Sequence, residues 1–244
     1  MSVLGVDIGT SGCKAAAFSA GGECWAFAAR EYQMRHPRPG WFELDCMDVW
    51  QATREVISAV AARTAYDPIT ALCVSSLGEA AVPITRDGTF VGPSILCMDE
   101  RGAKYVAQLE TAFGQERFYR INPNVLSPSY TLPKLFWLRE HEPVMYERAD
   151  YFLLWSDAVA MLLGCDPVTC NSLANRTLLF DLARNEWSSE LLAWSGIPGA
   201  KLGPIVPGGA TIGVVAASAA HELGLPTGVK VIAGGHDQCC NALG

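Results

Sequence analysis

The chain has 244 residues, half of them hydrophobic, and a formal net charge of −7 from 18 Lys and Arg against 25 Asp and Glu. No basic run occurs, which excludes a nucleic-acid or anionic-membrane partner, because both need clustered cations to neutralise phosphate. The composition is that of a globular protein able to bury a sizeable core, with no stretch near the roughly 20 apolar residues of a membrane helix.

The N-terminus reads MSVLGVDIGT. Residues 3–7 predict a short buried strand, 14–19 a second and 24–31 a third. Ala20-Gly21-Gly22 supplies the turn between the last two, so an antiparallel hairpin is expected. Asp7 interrupts the apolar start and no basic segment precedes it. A signal peptide is therefore not expected, and the cytoplasm is the expected compartment. Residues 35–47 read as a loop with Pro37, Pro39 and Gly40. Val49, Trp50, Val56, Ile57 and Val60 then recur at helical spacing, with Asp45 and Asp48 at the end where the helix dipole favours negative charge. A strand follows at 70–76. Residues 81–85 and 90–91 flank Arg86-Asp87-Gly88-Thr89 as a second hairpin, and 95–98 is again strand-like. From 101 to 200 the pattern is mainly helical, at 101–114, 132–140, 144–149, 155–163 and 188–194, as a lid or insertion in the sheet. A helix is expected over 211–223 and a last strand over 229–233. Together these elements predict a layered α/β domain with a mixed sheet flanked by helices.

The nine cysteines and four histidines fall in no metal-ligand spacing, and reduced, mostly buried thiols are expected. Four other constellations carry chemistry. Asp7-Ile8-Gly9-Thr10-Ser11-Gly12-Cys13-Lys14 lies between two strands and lacks the P-loop pattern. Its glycines allow backbone N–H groups to face an anion, Thr10 and Ser11 add hydroxyls, and Lys14 adds charge. Asp7 suits a hydrated Mg²⁺, a hard cation that keeps its waters. The same residues also make an ordinary polar hairpin turn. Gly234-Gly235-His236-Asp237-Gln238 ends the last strand with a carboxylate that serves either as a helix N-cap or as a group facing a cleft. His236 takes no assigned role. Glu79 follows strand 70–76, and Asp99-Glu100-Arg101 follows strand 95–98, at positions where α/β folds bind ligands.

Taken together, these segments resemble a known family. VDIGTSGCK is similar to the phosphate loop of the actin, heat-shock chaperone and sugar-kinase ATPase superfamily. PGWFELDCMDVW (39–50), ILCMDERG (95–102), KLFWLREHEP (134–143), NSLANRTLLFD (171–181) and GGHDQCCNALG (234–244) resemble segments of the FGGY carbohydrate kinases, in family order and over essentially the whole chain. The resemblance implies an RNase H-like α/β domain, here spanning residues 1–244, paired across a cleft with a second domain that carries the adenosine site. It implies ATP and Mg²⁺, a small sugar or polyol substrate, and Asp237 as the general base. Asp7 would help place the metal, and Thr10, Ser11 and Lys14 would meet the ATP phosphates. Glu79, Asp99 and Gln238 would sit near substrate hydroxyls. Departures are Cys97 where many members carry Trp, and Gly78-Glu79 in place of both the Gln-Met-His run of xylulose kinases and the Arg-Glu pair of glycerol kinases, which argues against both specificities. Ser129 and Tyr130 lie where those enzymes carry a substrate tyrosine. Family members are about twice this length, so the chain alone is expected to be inactive. Its surface towards the missing C-terminal domain is expected to be apolar and prone to homo-oligomerisation. The competing reading is a non-catalytic sugar-binding or pseudokinase module.

Overall fold

A computed structural model describes residues 1–243. The chain opens with β1 (Ser2–Ile8), β2 (Gly12–Ser19) and β3 (Cys24–Glu31), followed by helix α1 (Cys46–Ala61) and β4 (Ile69–Ser76). Leu4, Val6 and Ile8 of β1 are buried while Val3 and Gly5, alternating with them, are exposed, the period-two alternation of a sheet with one covered face. The Asp45 side chain accepts from the Met47 and Asp48 N–H groups at 2.8 and 3.3 Å, capping α1. α1 lays Val49, Val56, Ile57 and Val60 against β2 and β3.

The helical block builds a second, smaller core. It contains α2 (Ala103–Ile121), interrupted at Gly114 where φ is 66°, together with α3 (Thr131–His141) and shorter turns. Tyr105, Leu109, Phe118, Leu132 and Leu135 form its centre, separate from the sheet's own core. Helix α4 (Trp155–Leu162) returns to the main sheet and packs on it.

The expected helix over 211–223 is corrected. Thr211–Val214 is a strand, β5, and only Ala217–Leu223 is helical, as α5. β5 pairs antiparallel with β6 (Lys230–His236), Thr211 opposite Ile232. Thr211, Ile212 and Val214 are β-branched and suit the pleated edge position better than a helix. The last strand also runs through Gly234, Gly235 and His236, beyond the expected end at 233, before helix α6 (Asp237–Leu243).

The second expected hairpin survives as a turn with a single bridge, Ile84 to Phe90. The ladder partner of Val82–Ile84 is instead Tyr151–Leu153, far along the chain. The strand expected at 95–98 shortens to Ser94–Ile95, paired with Glu43–Leu44 of the PGWFELD segment.

The central sheet is mixed, in the order β5-β6-β4-β1-β2-β3. β1, β4 and β6 are parallel, and Ile8, Ser76 and His236 stand side by side at their carboxyl ends. On the face away from α1, Val3 pairs with Phe18, and Ala16 with Phe27. Val3, Phe18 and Phe27 remain 49%, 37% and 52% exposed, an open apolar face over β1–β3. Among the described residues no helix is long and apolar enough to cross a membrane.

Candidate active site

Three chain segments leave the aligned ends of β1, β4 and β6. After β1 the chain turns through Gly9-Thr10-Ser11. The Gly9 N–H donates to the Gly12 carbonyl at 2.9 Å, and the Tyr32 N–H to the Ser11 carbonyl at 3.2 Å. The Tyr32 hydroxyl donates to the Gly9 carbonyl at 2.6 Å, clamping the loop from below. Burial raises the Tyr32 phenol far above its usual range, so it stays a donor. The loop lines an open cavity of about 440 Å³ with Asp7, Ser11, Lys14 and Arg30. Asp7 and Lys14 are opposite each other in the β1–β2 register. The Asp7 carboxylate has no hydrogen-bond or ion-pair partner among the described residues and is partly exposed.

After β4, Leu77 donates its N–H to the Ile8 carbonyl at 2.8 Å, holding the two strand ends together. Glu79 then adopts φ 60°, with the Ala80 N–H bonded to the Gly78 carbonyl at 2.6 Å across it. A left-handed residue other than glycine at the centre of so tight a turn is strained, a condition that persists where surrounding contacts over-determine it. Those contacts are visible. The Glu79 carbonyl accepts from Thr131 Oγ1 at 2.9 Å and Lys134 Nζ at 3.4 Å. The Glu79 carboxylate accepts from Arg176 Nε at 2.6 Å and is also contacted by Arg176 Nη2. Lys134 is itself buried, and burial pulls its pKa down to about 8.

After β6, His236 and Asp237 complete the group. His236 Nε2 lies 3.2 Å from Asp237 Oδ1, and the Asp237 side chain is 34% exposed. The His236 N–H donates to Ser172 Oγ at 3.1 Å, fixing the strand end. Burial lowers the His236 pKa, so the ring is neutral at pH 7 and above. Gly78 makes this assembly possible, because a Cβ there would lie 2.9 Å from the His236 ring and 3.1 Å from Arg176 Cγ. Asp237 starts α6 and accepts from the Gln238 N–H at 2.6 Å, so it sits at a helix N-terminus and faces outward as well. The Gln238 side chain is exposed beside it.

Of the residues singled out from sequence, Glu79, Asp237 and Gln238 come together here, and Asp7, Thr10, Ser11 and Lys14 share the neighbouring loop or its flanking strands. Asp99 does not join them. Its carboxylate is fully buried, gripped by Arg101 Nε and Nη2 at 2.9 and 2.7 Å and by the Phe42 N–H at 2.7 Å. Arg101 also donates to Glu43 at 2.6 Å and packs against both the Trp41 and Trp137 rings, which meet edge to face. With both oxygens occupied, Asp99 ties the PGWFELD segment to Arg101.

Arg176 is the residue that sequence reasoning passed over. It lay inside NSLANRTLLFD, but nothing local assigns a partner 97 positions away. Glu79 beside a side-chain-free Gly78 was the available signal: a buried acid needs a cation, and a glycine leaves room for one.

Comparison with known proteins bears on the family and the fold. A family model described as the FGGY family of carbohydrate kinases, N-terminal domain, matches residues 2–244. The chain is 28% identical over 242 residues to a xylulose kinase of Staphylococcus xylosus, covering 99% of this chain and 50% of that protein. A crystal structure of xylulose kinase from Rhodospirillum rubrum superposes with a TM-score of 0.94 at 29% identity, over 100% of this chain and 51% of the other. A Plasmodium falciparum glycerol kinase with ADP has the same fold, with a TM-score of 0.88 at 16% identity over 97% of this chain and 48% of that one. The chain spans about half the length of the curated relatives it matches.

Proposed function

Because this chain belongs to the FGGY family of carbohydrate kinases, as an N-terminal domain, we propose that its residues serve the ATP-dependent phosphorylation of a sugar or polyol hydroxyl. The observation that carries this reading is the alignment of the β1, β4 and β6 carboxyl ends, with Ile8, Ser76 and His236 in one row. It puts an anion-suited loop and an outward-facing carboxylate along one edge of the sheet, where α/β folds bind ligands.

The roles follow from the chemistry of each group. Asp237 accepts the proton of the attacking hydroxyl, a task that needs a carboxylate in reach of it and a fixed orientation. The helix start at Asp237 and the bonded strand end at His236 supply that orientation. Glu79 and Gln238 hold neighbouring substrate hydroxyls. The N–H groups and hydroxyls of Thr10 and Ser11, with Lys14, neutralise phosphate. Asp7, free of protein partners and next to that loop, fits a hydrated Mg²⁺, which supplies charge neutralisation at the phosphates when bound. The adenosine site belongs to a C-terminal domain outside these residues. The open apolar face bearing Val3, Phe18 and Phe27 is where further chain would pack, and in the isolated chain it drives homo-oligomerisation. The cytoplasm, where ATP meets unphosphorylated sugar, is the compartment this activity needs.

Asp237→Asn in the full-length kinase is the test. Turnover should fall by about 10²- to 10⁴-fold, the usual contribution of a positioned general base, while sugar affinity stays within a few-fold. Undiminished turnover would remove Asp237 from that role. Sugar binding without any turnover in the wild type would instead make the site a binding module. The 244-residue chain alone should show no useful turnover and should sediment as an oligomer at high concentration. A strictly monomeric chain would argue against the open face as a contact surface.

A further inference from the structure

Arg176 is held on three sides. Its Nε and Nη2 contact the same Glu79 oxygen, Oε1. Its Nη1 donates to Asn124 Oδ1 at 3.0 Å, and its guanidinium carbon lies 4.8 Å from the centre of the Tyr130 ring. Asn124 is fixed in turn, accepting from the Tyr130 hydroxyl at 3.2 Å and donating to Asn122 Oδ1 at 2.7 Å. The side chain is nonetheless 26% exposed. A guanidinium carries five N–H donors in a rigid plane. Glu79 and Asn124 engage three of them, leaving one on each terminal nitrogen. On the partner, Glu79 Oε2 has no hydrogen-bond or ion-pair partner among the described residues. The pair therefore offers donors and an acceptor side by side, in fixed geometry, next to His236 and Asp237.

The charges of this group are as informative as its geometry. Arg176 is already neutralised by Glu79, His236 is uncharged at neutral pH, and Asp237 leaves one net negative charge on the edge. Among the described residues in contact with Glu79, the only other cation, Lys134, is buried against main-chain carbonyls of Glu79 and Ile95. A ligand with its own carboxylate would meet repulsion and no spare cation. A ligand with adjacent hydroxyls can donate to Glu79 Oε2 and accept from Arg176 at once.

We propose that Arg176 is a specificity-determining residue that, together with Glu79, grips the vicinal diol of an uncharged ketose or polyol and turns away the corresponding aldonate. This rests on the sugar-kinase reading above. A site built to hydrogen-bond a substrate hydroxyl discriminates strongly, because its buried polar groups are left unpaired by the wrong ligand.

The test is equilibrium binding of D-xylulose, xylitol and D-gluconate to the full-length protein and its variants. Wild type should bind xylulose or xylitol and prefer both to gluconate. Arg176→Met should weaken the neutral ligands by about tenfold or more, the value of a lost charge-assisted bond. Arg176→Lys should restore only part, because an ammonium lacks the fork that spans Glu79 and Asn124. Glu79→Gln keeps the shape, frees the Arg176 charge, and should raise the gluconate-to-xylulose affinity ratio by about tenfold. A merely structural role for Arg176 would leave that ratio unmoved. An unchanged ratio in Glu79→Gln, or tighter gluconate than xylulose binding by wild type, overturns this inference while leaving the kinase reading standing. If wild type binds none of the three compounds, the substrate-site reading falls and this inference with it.

Discussion

The carboxylate proposed as base reaches the edge of the sheet only because β6 can approach β4 closely at Gly234, and replacing that glycine by alanine tests the dependence. An ideal Cβ on Gly234 would lie 1.7 Å from the Val74 carbonyl oxygen and 2.6 Å from the carbonyl carbon. Ordinary carbon–oxygen contact is about 3.3 Å, so the two strands must separate by roughly 1.5 Å. The obstructing atoms are main chain in the middle of the sheet, and no rotamer change relieves them. Bonds of about 2.9 Å do not survive such a displacement. Losing two or three ladder bonds and straining the core adds up to about 3–5 kcal/mol. Gly235→Ala is the internal control. Its Cβ would meet Ser172 Oγ at 2.8 Å, a side chain that can rotate away, at the loss of the bond from the His236 N–H and a weak contact with the Cys170 thiol. That substitution should cost about 1 kcal/mol. Urea unfolding of the two variants and wild type, followed by circular dichroism, measures both. A Gly234→Ala protein within about 1 kcal/mol of wild type, or equal losses for the two variants, would refute the close-approach argument.

Arg101→Met should destabilise by about 3–5 kcal/mol, because it strands the Asp99 and Glu43 carboxylates, 0% and 11% exposed, without their cation; a thermal melt reads this directly, and a loss under about 1 kcal/mol would show that the buried triad is dispensable. Asp157→Asn should have the opposite sign and depend on pH. The Asp157 carboxyl is buried, its Oδ2 has no partner, and its Oδ1 accepts only the Cys170 N–H at 3.1 Å, so burial raises its pKa well above the usual 3.8. The folded state then holds a proton that the unfolded chain releases, and the wild type loses stability as pH rises through 3.8 towards the folded value. The asparagine variant, which does not ionise, should match wild type below about pH 4 and gain on it as pH rises above that until the folded carboxyl itself ionises, as urea titrations at several pH values would register; a stability difference independent of pH would contradict the buried-proton account.

Much of this molecule is written locally. The three opening strands, the Gly-Gly turn, the Asp45 cap and the helix after it follow from alternation, turn chemistry and helical spacing within windows of about ten residues. So does the placement of a carboxylate at the end of the last strand, because a strand, a glycine pair and an acid are neighbours in sequence. Glu79 was legible for the same reason, as an acid just past a strand.

What the sequence left undetermined is everything set by partners distant along the chain. Residues 211–214 carry both strand and helix signals, and pairing with β6 selects the strand. Asp99 reads as an acid at a ligand-binding strand end until the Arg101 guanidinium and the Phe42 N–H enclose it. Most of all, the carboxylate of Glu79 acquires its meaning from Arg176, and Arg176 from Asn124 and Tyr130. A charge's role depends on what neutralises it and how much water reaches it, and both are properties of the packed chain. Local pattern places a carboxylate at the end of the last strand; packing of residues far apart in the chain sets an acid–guanidinium pair beside it.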